Sequence, residues 1–299
     1  FAAEWLADQE KVDAGEQIDL AIPTGLDELD RILNGGMYSA DLVVLAGRPA
    51  MGKTSVGMTC AYNQAMAGHG VGFVSIEQPG VQVTCKLASI HSQIGYSHFR
   101  SHTFDSADQK RRAVEAMQDM FGLEVEINEA AFQWSDIRSQ IRRLKMTMDR
   151  KARSNPGYSP LRVVYIDYLG LMRNDEAENV ARQEATDRII NGAKALAKEL
   201  GIRIAVLVQI NREAVKGKET RPELHHLRSS GAIENAADVA LLIHRDGYYH
   251  KEMQQDLATL IAAKNRHGET TDLDFKWNGA TGTISNLDFT SPSGRTGYP

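Results

Sequence analysis

The feature that most constrains this chain is an eight-residue stretch that matches the phosphate-binding loop pattern G-x-x-x-x-G-K-[ST] without gap or mismatch. The stretch consists of Gly47, Arg48, Pro49, Ala50, Met51, Gly52, Lys53 and Thr54. The apolar run at 41–46 before it predicts a buried strand, and residues 55–67 after it predict a helix. Strand, glycine loop and helix are the arrangement that this motif requires. The sequence therefore predicts an α/β domain that holds phosphates.

The residue types of this loop suit the charge of a nucleotide. Gly47 and Gly52 lack side chains, so the backbone can curl around the phosphates with its N–H groups pointing inward. The following helix presents its positive dipole end. Lys53 can reach the β- and γ-phosphates, the Thr54 hydroxyl can hold Mg²⁺, and Ser55 completes the candidate nucleotide contacts. This context disfavours the alternative, a glycine turn that binds nothing.

Length and composition are those of a globular protein. With 299 residues, 42% of them hydrophobic, the chain can form one large α/β domain or two small ones. No apolar run approaches the roughly 20 residues that cross a bilayer, and residues 1–10 carry acids instead of a basic signal-peptide start. Cys60 and Cys85 are expected to be reduced core residues of a cytosolic protein. Because the first residue is Phe, we expect a fragment or a processed chain.

Three polar residues stand at the ends of predicted strands, namely Glu77, Asp167 and Gln209. Ligands of open α/β sheets bind at the carboxyl ends of strands, so these side chains are expected beside the phosphate loop. Glu77 is well placed to deprotonate water, Asp167 to hold Mg²⁺ beside Thr54, and Gln209 to contact the γ-phosphate. On position alone, Glu77 could also be a surface acid.

The remaining pattern predicts one α/β domain with a mostly parallel central sheet flanked by helices. Strands are predicted at 41–46, 71–76, 161–167, 204–208, 238–244, 257–264, 271–277 and 282–284, the last two as edge strands. Helices are predicted at 55–67, 135–153 and 184–200, with mostly helical chain over 81–121. We predict a linker helix at 1–17, the main domain at 18–290 and a flexible tail at 291–299. The linker helix is either a frayed end or a helix that packs on a neighbouring subunit.

Two basic features each allow a second interpretation. The helix 135–153 carries a row of Lys and Arg that could touch nucleic acid, although such a row is more often a solvated face. The loop 227–234 enters a helix, and Arg228 with the loop N–H groups could grip phosphates.

Six motifs, taken in order, resemble those of the C-terminal motor domain of the DnaB-type replicative DNA helicases. They lie at 47–54, 73–77, 164–172, 208–212, 227–234 and 264–268, and the resemblance runs over about residues 22–277. It implies a RecA-like P-loop NTPase fold and a bacterial or bacteriophage source. It also implies ATP and Mg²⁺ as cofactors and a ring-shaped homo-hexamer with ATP sites between subunits.

The resemblance implies a role for each residue of the nucleotide site. Lys53 and Thr54 match the phosphate and Mg²⁺ contacts of the family. Glu77 matches its catalytic base, Asp167 its Walker B acid, and Gln209 its γ-phosphate sensor.

The resemblance also implies contacts outside the chain's own nucleotide site. Lys264 and Arg266 match the pair that reaches across the subunit interface, with Arg266 as an arginine finger in trans. In isolation this pair would be interpreted as a solvated turn. Arg228, Ser229 and Gly231 match the loop that holds single-stranded DNA.

The chain departs from the family pattern at several points. Ser229 stands where the family usually has Glu, which puts the grip of this loop on DNA in question. Gln78 stands where Met is common, the connection at 151–160 is longer than usual, and we expect no match to the family's N-terminal collar domain within these 299 residues.

By this resemblance we expect an ATP hydrolase that moves 5′→3′ on single-stranded DNA and unwinds forked DNA in the bacterial cytoplasm. A helicase loader and a primase are the expected partners, and we expect no association with a membrane. Two other functions stay open: a RecA/RadA-like recombination ATPase that forms filaments, and a nucleotide-gated assembly module with slow turnover. The Lys264-x-Arg266 pair and the Arg228 loop favour the helicase over the first, whereas the net charge of −5 permits the second.

Overall fold

The computed structural model describes residues 21–123, 125–129, 133–167, 182–210, 221–227 and 230–287, with a few separate positions before residue 15. The predicted tail at 291–299 and most of the predicted linker helix at 1–17 lie outside these residues.

The fold is built on one large sheet of short, buried strands. A small antiparallel pair, β1 (Ala21–Ile22) and β2 (Met37–Tyr38), precedes it. The described strands of the large sheet are β3 (Leu42–Gly47), β4 (Gly70–Ser75), β5 (Val125–Glu129), β6 (Leu161–Asp167), β7 (Arg203–Gln209), β8 (Val239–His244), β9 (Leu257–Asn265), β10 (Asp272–Asn278) and β11 (Thr283–Ser285). Their order across the sheet is β11-β10-β9-β8-β3-β7-β6-β4-β5.

The sheet is mostly parallel, as predicted. The strands from β5 across to β8 pair in parallel, whereas β9, β10 and β11 extend the sheet as antiparallel strands. The parallel strands are apolar on both faces because helices cover both sides of the sheet. The P-loop strand β3 therefore lies near the middle, between β8 and β7.

Helices cover both faces of the sheet. They are α1 (Asp27–Ile32), α2 (Lys53–Met66), α3 (Gly80–Ser92), α4 (Tyr96–Ser101), α5 (Ala107–Asp119), α6 (Trp134–Ser154), α7 (Arg182–Leu200), α8 (Ser230–Ala236) and α9 (Asp246–Tyr249), with a 3₁₀ turn at Leu224–His226. Alternate residues of β3 show how the faces divide. Val43 and Leu45 belong to the core on the α2 and α3 side, whereas Leu42 and Val44 belong to the core on the α6 and α7 side.

Two features of the sheet differ from the sequence prediction. The strand predicted at 271–277 is not an edge strand, because β10 pairs with β9 on one side and with β11 on the other. At the opposite edge, β5 was not predicted. Its Val-Glu-Ile-Asn-Glu sequence is short and polar at alternate positions, and Val125 and Ile127 are only partly buried.

Three cations of the basic row on α6 form ion pairs within the chain. Arg142 donates two hydrogen bonds to the Glu199 carboxylate, at 2.8 and 2.7 Å. Lys145 pairs with Asp149 at 2.5 Å, and Lys151 pairs with Glu126 at 3.0 Å. These pairs favour a solvated helix face over a nucleic-acid surface. Within the part of the chain that the structure describes, no helix is long and apolar enough to cross a membrane.

Candidate nucleotide-binding and hydrolysis site

The P-loop connects the end of β3 to the start of α2, as the sequence predicts. Gly52 has a φ of 103°, a left-handed conformation that glycine adopts without strain. A Cβ at Gly52 would lie 2.5 Å from the Trp277 ring, and a Cβ at Gly47 would lie 2.3 Å from Ile243. Close packing therefore requires glycine at both positions, and backbone conformation requires it at Gly52 as well. Lys53 is buried at the first position of the helix.

Thr54 and Asp167 meet beside the P-loop. The Thr54 hydroxyl donates a hydrogen bond of 2.7 Å to Oδ2 of Asp167. Asp167 is fully buried, and its second oxygen, Oδ1, has no hydrogen-bond partner among the described residues. Burial raises the pKa of the Asp167 carboxyl, and the Thr54 hydrogen bond and the Lys53 charge act in the opposite direction.

An unpaired buried carboxylate oxygen is costly, and oxygen ligands of this kind are the ones that Mg²⁺ binds. The donor set of Thr54 and Asp167 therefore fits a Mg²⁺ ion that draws its other ligands from water and nucleotide phosphates. No group of three or more His, Cys, Asp or Glu side chains among the described residues could hold a metal on its own.

Glu77 stands next to Asp167 because their strands are joined at this end. The Ile76 N–H donates to the Asp167 carbonyl oxygen at 2.7 Å. Glu77 itself is exposed. The turn that carries it is fixed by Ser75, whose hydroxyl donates to the Gln78 carbonyl oxygen at 2.6 Å. The departure from the family pattern at Gln78 leaves the side-chain oxygen of that residue buried, without a partner among the described residues.

Gln209 lies between the P-loop and Asp167, because β7 separates β3 from β6. It ends β7 and pairs in register with Gly47, and its side chain is exposed. The Ile210 N–H donates to the Gly47 carbonyl oxygen at 3.0 Å, which ties the two strand ends together. The structure thus places five predicted site residues at the carboxyl ends of the central parallel strands. They are Lys53, Thr54, Glu77, Asp167 and Gln209.

Lys264 and Arg266 lie at the opposite end of the sheet from these residues. Gly47 pairs with Ile243 at the P-loop end of β8, whereas the Arg266 N–H donates to the Asp238 carbonyl oxygen just before β8 begins. Five residues of strand, about 16 Å, separate these two levels. The structure therefore does not bring the chain's own Lys264 and Arg266 to its own P-loop.

At that end both cations hold the carboxyl end of α8. Lys264 donates to the carbonyl oxygens of Glu234 and Ala237. The Arg266 guanidinium donates to the Asn235 carbonyl oxygen at 2.8 Å and to the Asp238 carboxylate at 3.0 Å. The Arg266 side chain is nevertheless 48% exposed.

The predicted DNA loop can be placed only in part. Arg228 and Ser229 lie outside the described residues. Gly231 is exposed in the first turn of α8, and Leu227 before the loop is buried. The loop therefore enters the helix whose other end is held by Lys264 and Arg266.

Sequence reasoning missed several residues around the P-loop, because they come from distant parts of the chain. The Arg245 guanidinium stacks on the Trp277 ring at 4.1 Å, and its Nε is buried without a partner among the described residues. Tyr249 was missed too, and its ring lies 5.0 Å from the guanidinium of Arg48, a predicted residue of the P-loop. Lys86 of α3 was also missed. Burial lowers its pKa, and the charges of Asp167 and Glu77 oppose that effect.

Comparisons with known proteins show the family to which the chain belongs. The family model of the DnaB-like helicase C terminal domain matches residues 21–286. The replicative DNA helicase DnaB of Geobacillus stearothermophilus is 30% identical over 250 residues, which is 83% of this chain and 52% of that protein. The replicative DNA helicase DnaB of Rickettsia typhi is 31% identical over 317 residues, which is 96% of this chain and 61% of that protein. The chain therefore spans between half and two thirds of the length of these relatives.

Solved structures of the same kind have the same fold. A DnaB-like replicative helicase, solved in a study of its interactions with primase, superposes with a TM-score of 0.81 at 25% identity, over 96% of this chain and 67% of that one. A second solved structure, an ATPase domain, superposes with a TM-score of 0.82 at 26% identity, over 96% of this chain and 98% of that one. By its family-model match, by its relatives and by its RecA-like fold, the chain belongs to the DnaB-like helicase C-terminal domain family.

Proposed function

We propose that this chain is the motor domain of an ATP-driven replicative DNA helicase. The observation that carries the proposal is the contact between Thr54 and Asp167 beside the P-loop, with one Asp167 oxygen buried and unpaired. Glu77 is exposed next to this pair and Lys53 is buried at the loop. These side chains provide phosphate binding, metal ligation and a general base, the parts that phosphoryl transfer to water requires.

Thr54 and Asp167 would hold Mg²⁺, which when bound neutralises negative charge on the β- and γ-phosphates. Lys53 and the loop N–H groups bind the same phosphates, with Arg48, Pro49, Ala50, Met51 and Ser55 completing the cradle. Glu77 takes a proton from water as the water oxygen attacks the γ-phosphorus. The bond from that phosphorus to the ADP oxygen breaks, and ADP and phosphate result. Gln209 is placed to hydrogen-bond the γ-phosphate.

We infer that Arg266 acts on the site of a neighbouring subunit. Its position at the far end of the sheet supports this, because its own P-loop is out of reach. A surface with the P-loop at one end and the finger at the other makes a head-to-tail interface, which closes into a ring when the rotation allows it. The proposed assembly is a homo-hexamer. A finger in trans contributes about 10³–10⁵ to the rate of phosphoryl transfer.

The proposed partner of the ring is single-stranded DNA, held by Arg228, Ser229 and Gly231. Contacts to phosphates carry no sequence information, so translocation would tolerate any sequence. We propose 5′→3′ movement, unwinding of forked DNA, and association with a helicase loader and a primase in the bacterial cytoplasm. The division into linker (1–17), motor domain (18–290) and tail (291–299) stays a prediction.

Unwinding of a forked DNA duplex with ATP and Mg²⁺ tests this function. We expect unwinding that requires a free 5′ arm, that stops in Glu77→Gln and Arg266→Ala, and that persists in the matched surface variant Arg143→Ala. Arg143 is an exposed cation on α6, remote in sequence from every site motif. Equal DNA-stimulated ATP hydrolysis in Glu77→Gln and wild type would contradict the catalytic assignment.

The two alternatives are separated by other readouts. The comparisons favour a replicative helicase over a recombination ATPase, and electron microscopy with ATP would show rings for the first and filaments for the second. ATP binding without stimulation of hydrolysis by single-stranded DNA would favour a nucleotide-gated assembly module.

A further inference from the structure

A cavity with both polar and apolar lining residues opens beside the start of α2. Its volume is about 370 Å³. The α2, α3 and α4 helices and the turn between β10 and β11 form its walls. Its charged and hydroxyl-bearing lining residues are Ser55, Lys86, Tyr96, Ser97, Arg100 and Thr281.

The charges of this cavity all have one sign. Lys86 and Arg100 line it, and the described lining residues include no carboxylate. Neither cation forms an ion pair with a described carboxylate; the recorded neighbour of the Lys86 ammonium is the Tyr96 ring, at 5.7 Å. Lys86 is partly buried, so its charge has lost water, and the lining of the cavity offers it no carboxylate. Partial burial of a charge costs free energy, and an anion in the cavity would reduce that cost.

The cavity is rigid around these cations. The Tyr96 N–H donates to the Ala280 carbonyl oxygen at 2.9 Å, which fastens α4 to the turn between β10 and β11. A Cβ at Gly282 would lie 3.1 Å from the Ser55 hydroxyl, so that turn also packs closely on α2. Hydroxyl groups and two cations on a fixed frame are the donors that recognise a phosphate oxyanion.

Lys86 connects this cavity to the hydrolysis site. Burial lowers the pKa of Lys86, and Asp167 and Glu77 raise it, so the ammonium lies within electrostatic range of both acids. Ser55 directly follows the proposed Mg²⁺ ligand Thr54 and lines the cavity. A phosphate formed next to Glu77 would therefore have the Lys86 ammonium within electrostatic range.

We propose that this cavity is a phosphate-binding site that receives the phosphate ion released by hydrolysis, with Lys86 and Arg100 as its cationic ligands. The proposal rests on the ATP hydrolysis proposed above. It adds a separate position for the product, distinct from the P-loop. A phosphate held there would leave the P-loop occupied by ADP alone.

Titration of inorganic phosphate into the full chain, followed by phosphorus NMR, tests the site without any turnover. One arm uses the protein alone, and the other uses protein saturated with Mg²⁺ and ADP, which fills the P-loop. We expect saturable phosphate binding in both arms, weakened at least tenfold in Lys86→Met and in Arg100→Met. Lys86→Arg should restore it. Lys110→Met, which removes an exposed lysine from α5, should leave it unchanged.

Three results would overturn the proposal. The first is displacement of phosphate by ADP, which would place the phosphate in the P-loop. The second is phosphate binding that is weakened as much in Lys110→Met as in Lys86→Met. The third is a phosphate affinity of Arg100→Met equal to that of wild type. Arg100 is exposed, so its variant decides the matter even if Lys86→Met does not fold. ATP hydrolysis by wild type is measured separately. Phosphate binding without ATP hydrolysis would refute the proposed function but support a phosphate site in this cavity. ATP hydrolysis without phosphate binding would support the proposed function and refute the phosphate site.

Discussion

Arg266 donates a hydrogen bond of 3.0 Å to the carboxylate of Asp238, at the end of the sheet opposite to the P-loop. The same carboxylate accepts from the Leu42 N–H at 2.8 Å and from Lys194 at 2.5 Å. Asp238 is only 8% exposed. One buried acid therefore fixes the start of the P-loop strand and, through its second oxygen, the guanidinium that we assign to the neighbouring ATP site.

Asp238 should contribute stability in a defined pH range. Burial by itself raises the pKa of this carboxyl, but the Leu42 N–H, Lys194 and Arg266 outweigh burial, so the net pKa lies below its ordinary value. A carboxyl whose pKa is lowered by folding stabilises the fold at pH values above its pKa in the unfolded chain, about 3.9 for Asp. That stability is lost as the pH falls through the folded pKa.

We therefore expect Asp238→Asn to lower the free energy of unfolding by about 3 kcal/mol near neutral pH, because it leaves Lys194 without its buried partner. The difference from wild type should shrink below about pH 4. Urea unfolding at a series of pH values measures this. Asp256→Asn, an exposed acid, is the control. A difference that stays constant down to the lowest pH at which wild type folds would contradict the assignment.

Mixing inactive variants should restore hydrolysis if the finger acts in trans. Lys53→Ala damages a subunit's own site, whereas Arg266→Ala damages its neighbour's site. In random mixed rings about a quarter of the interfaces then combine an intact P-loop with an intact finger. We expect ATP hydrolysis to reappear on mixing, although each variant alone loses about 10³-fold or more.

The control for this experiment mixes Lys53→Ala with Glu77→Gln. Both substitutions damage the subunit's own site, so every interface stays defective and no activity should return. No recovery in the first mixture would place Arg266 outside the neighbouring site, and recovery in the control would mean that Lys53 and Glu77 do not act in the same site.

Asp167 should set the Mg²⁺ requirement. In Asp167→Asn the amide oxygen can still accept from Thr54, but the negative charge beside the ion is gone. We expect at least about a tenfold higher Mg²⁺ concentration for half-maximal ATP hydrolysis. Removal of Mg²⁺ by a chelator should stop wild-type hydrolysis. Asp136→Asn, an exposed acid in the first turn of α6, should behave as wild type, and an unchanged Mg²⁺ dependence in Asp167→Asn would rule out Asp167 as a ligand.

Local patterns in the sequence were sufficient to predict where the P-loop and the strand-end residues lie in the fold. The P-loop is contiguous, and Glu77, Asp167 and Gln209 each follow an apolar strand, so parallel pairing brings them to one edge. The residues that escaped prediction have partners far along the chain. Asp238 lies 196 residues from its partner Leu42.

Lys86 shows the limit most clearly. In the sequence it is one polar position in a helix, with no motif around it. Its proximity to Glu77 and Asp167 arises only when α3 packs back against the P-loop helix. The strand β5 escaped for a different reason. It pairs on one side only, so it needs no continuous apolar run, and its alternation of apolar and polar residues covers only 5 positions.

The P-loop packs tightly on Trp277 at Gly52. Gly52→Ala places a methyl group 2.5 Å from a ring that is itself held by the Arg245 guanidinium, and it requires an L-residue at a φ of 103°. Gly68→Ala has a φ of 84° but nothing within 4 Å of its new methyl group, so it carries the backbone cost alone.

We expect Gly68→Ala to lose about 1 kcal/mol of unfolding free energy. Gly52→Ala should lose about 1–3 kcal/mol more, because the loop or the ring must move. Urea unfolding of both variants measures the difference, and ATP affinity should fall only in Gly52→Ala. Equal stability and equal ATP affinity of the two variants would mean that the Trp277 ring does not fix the shape of the loop.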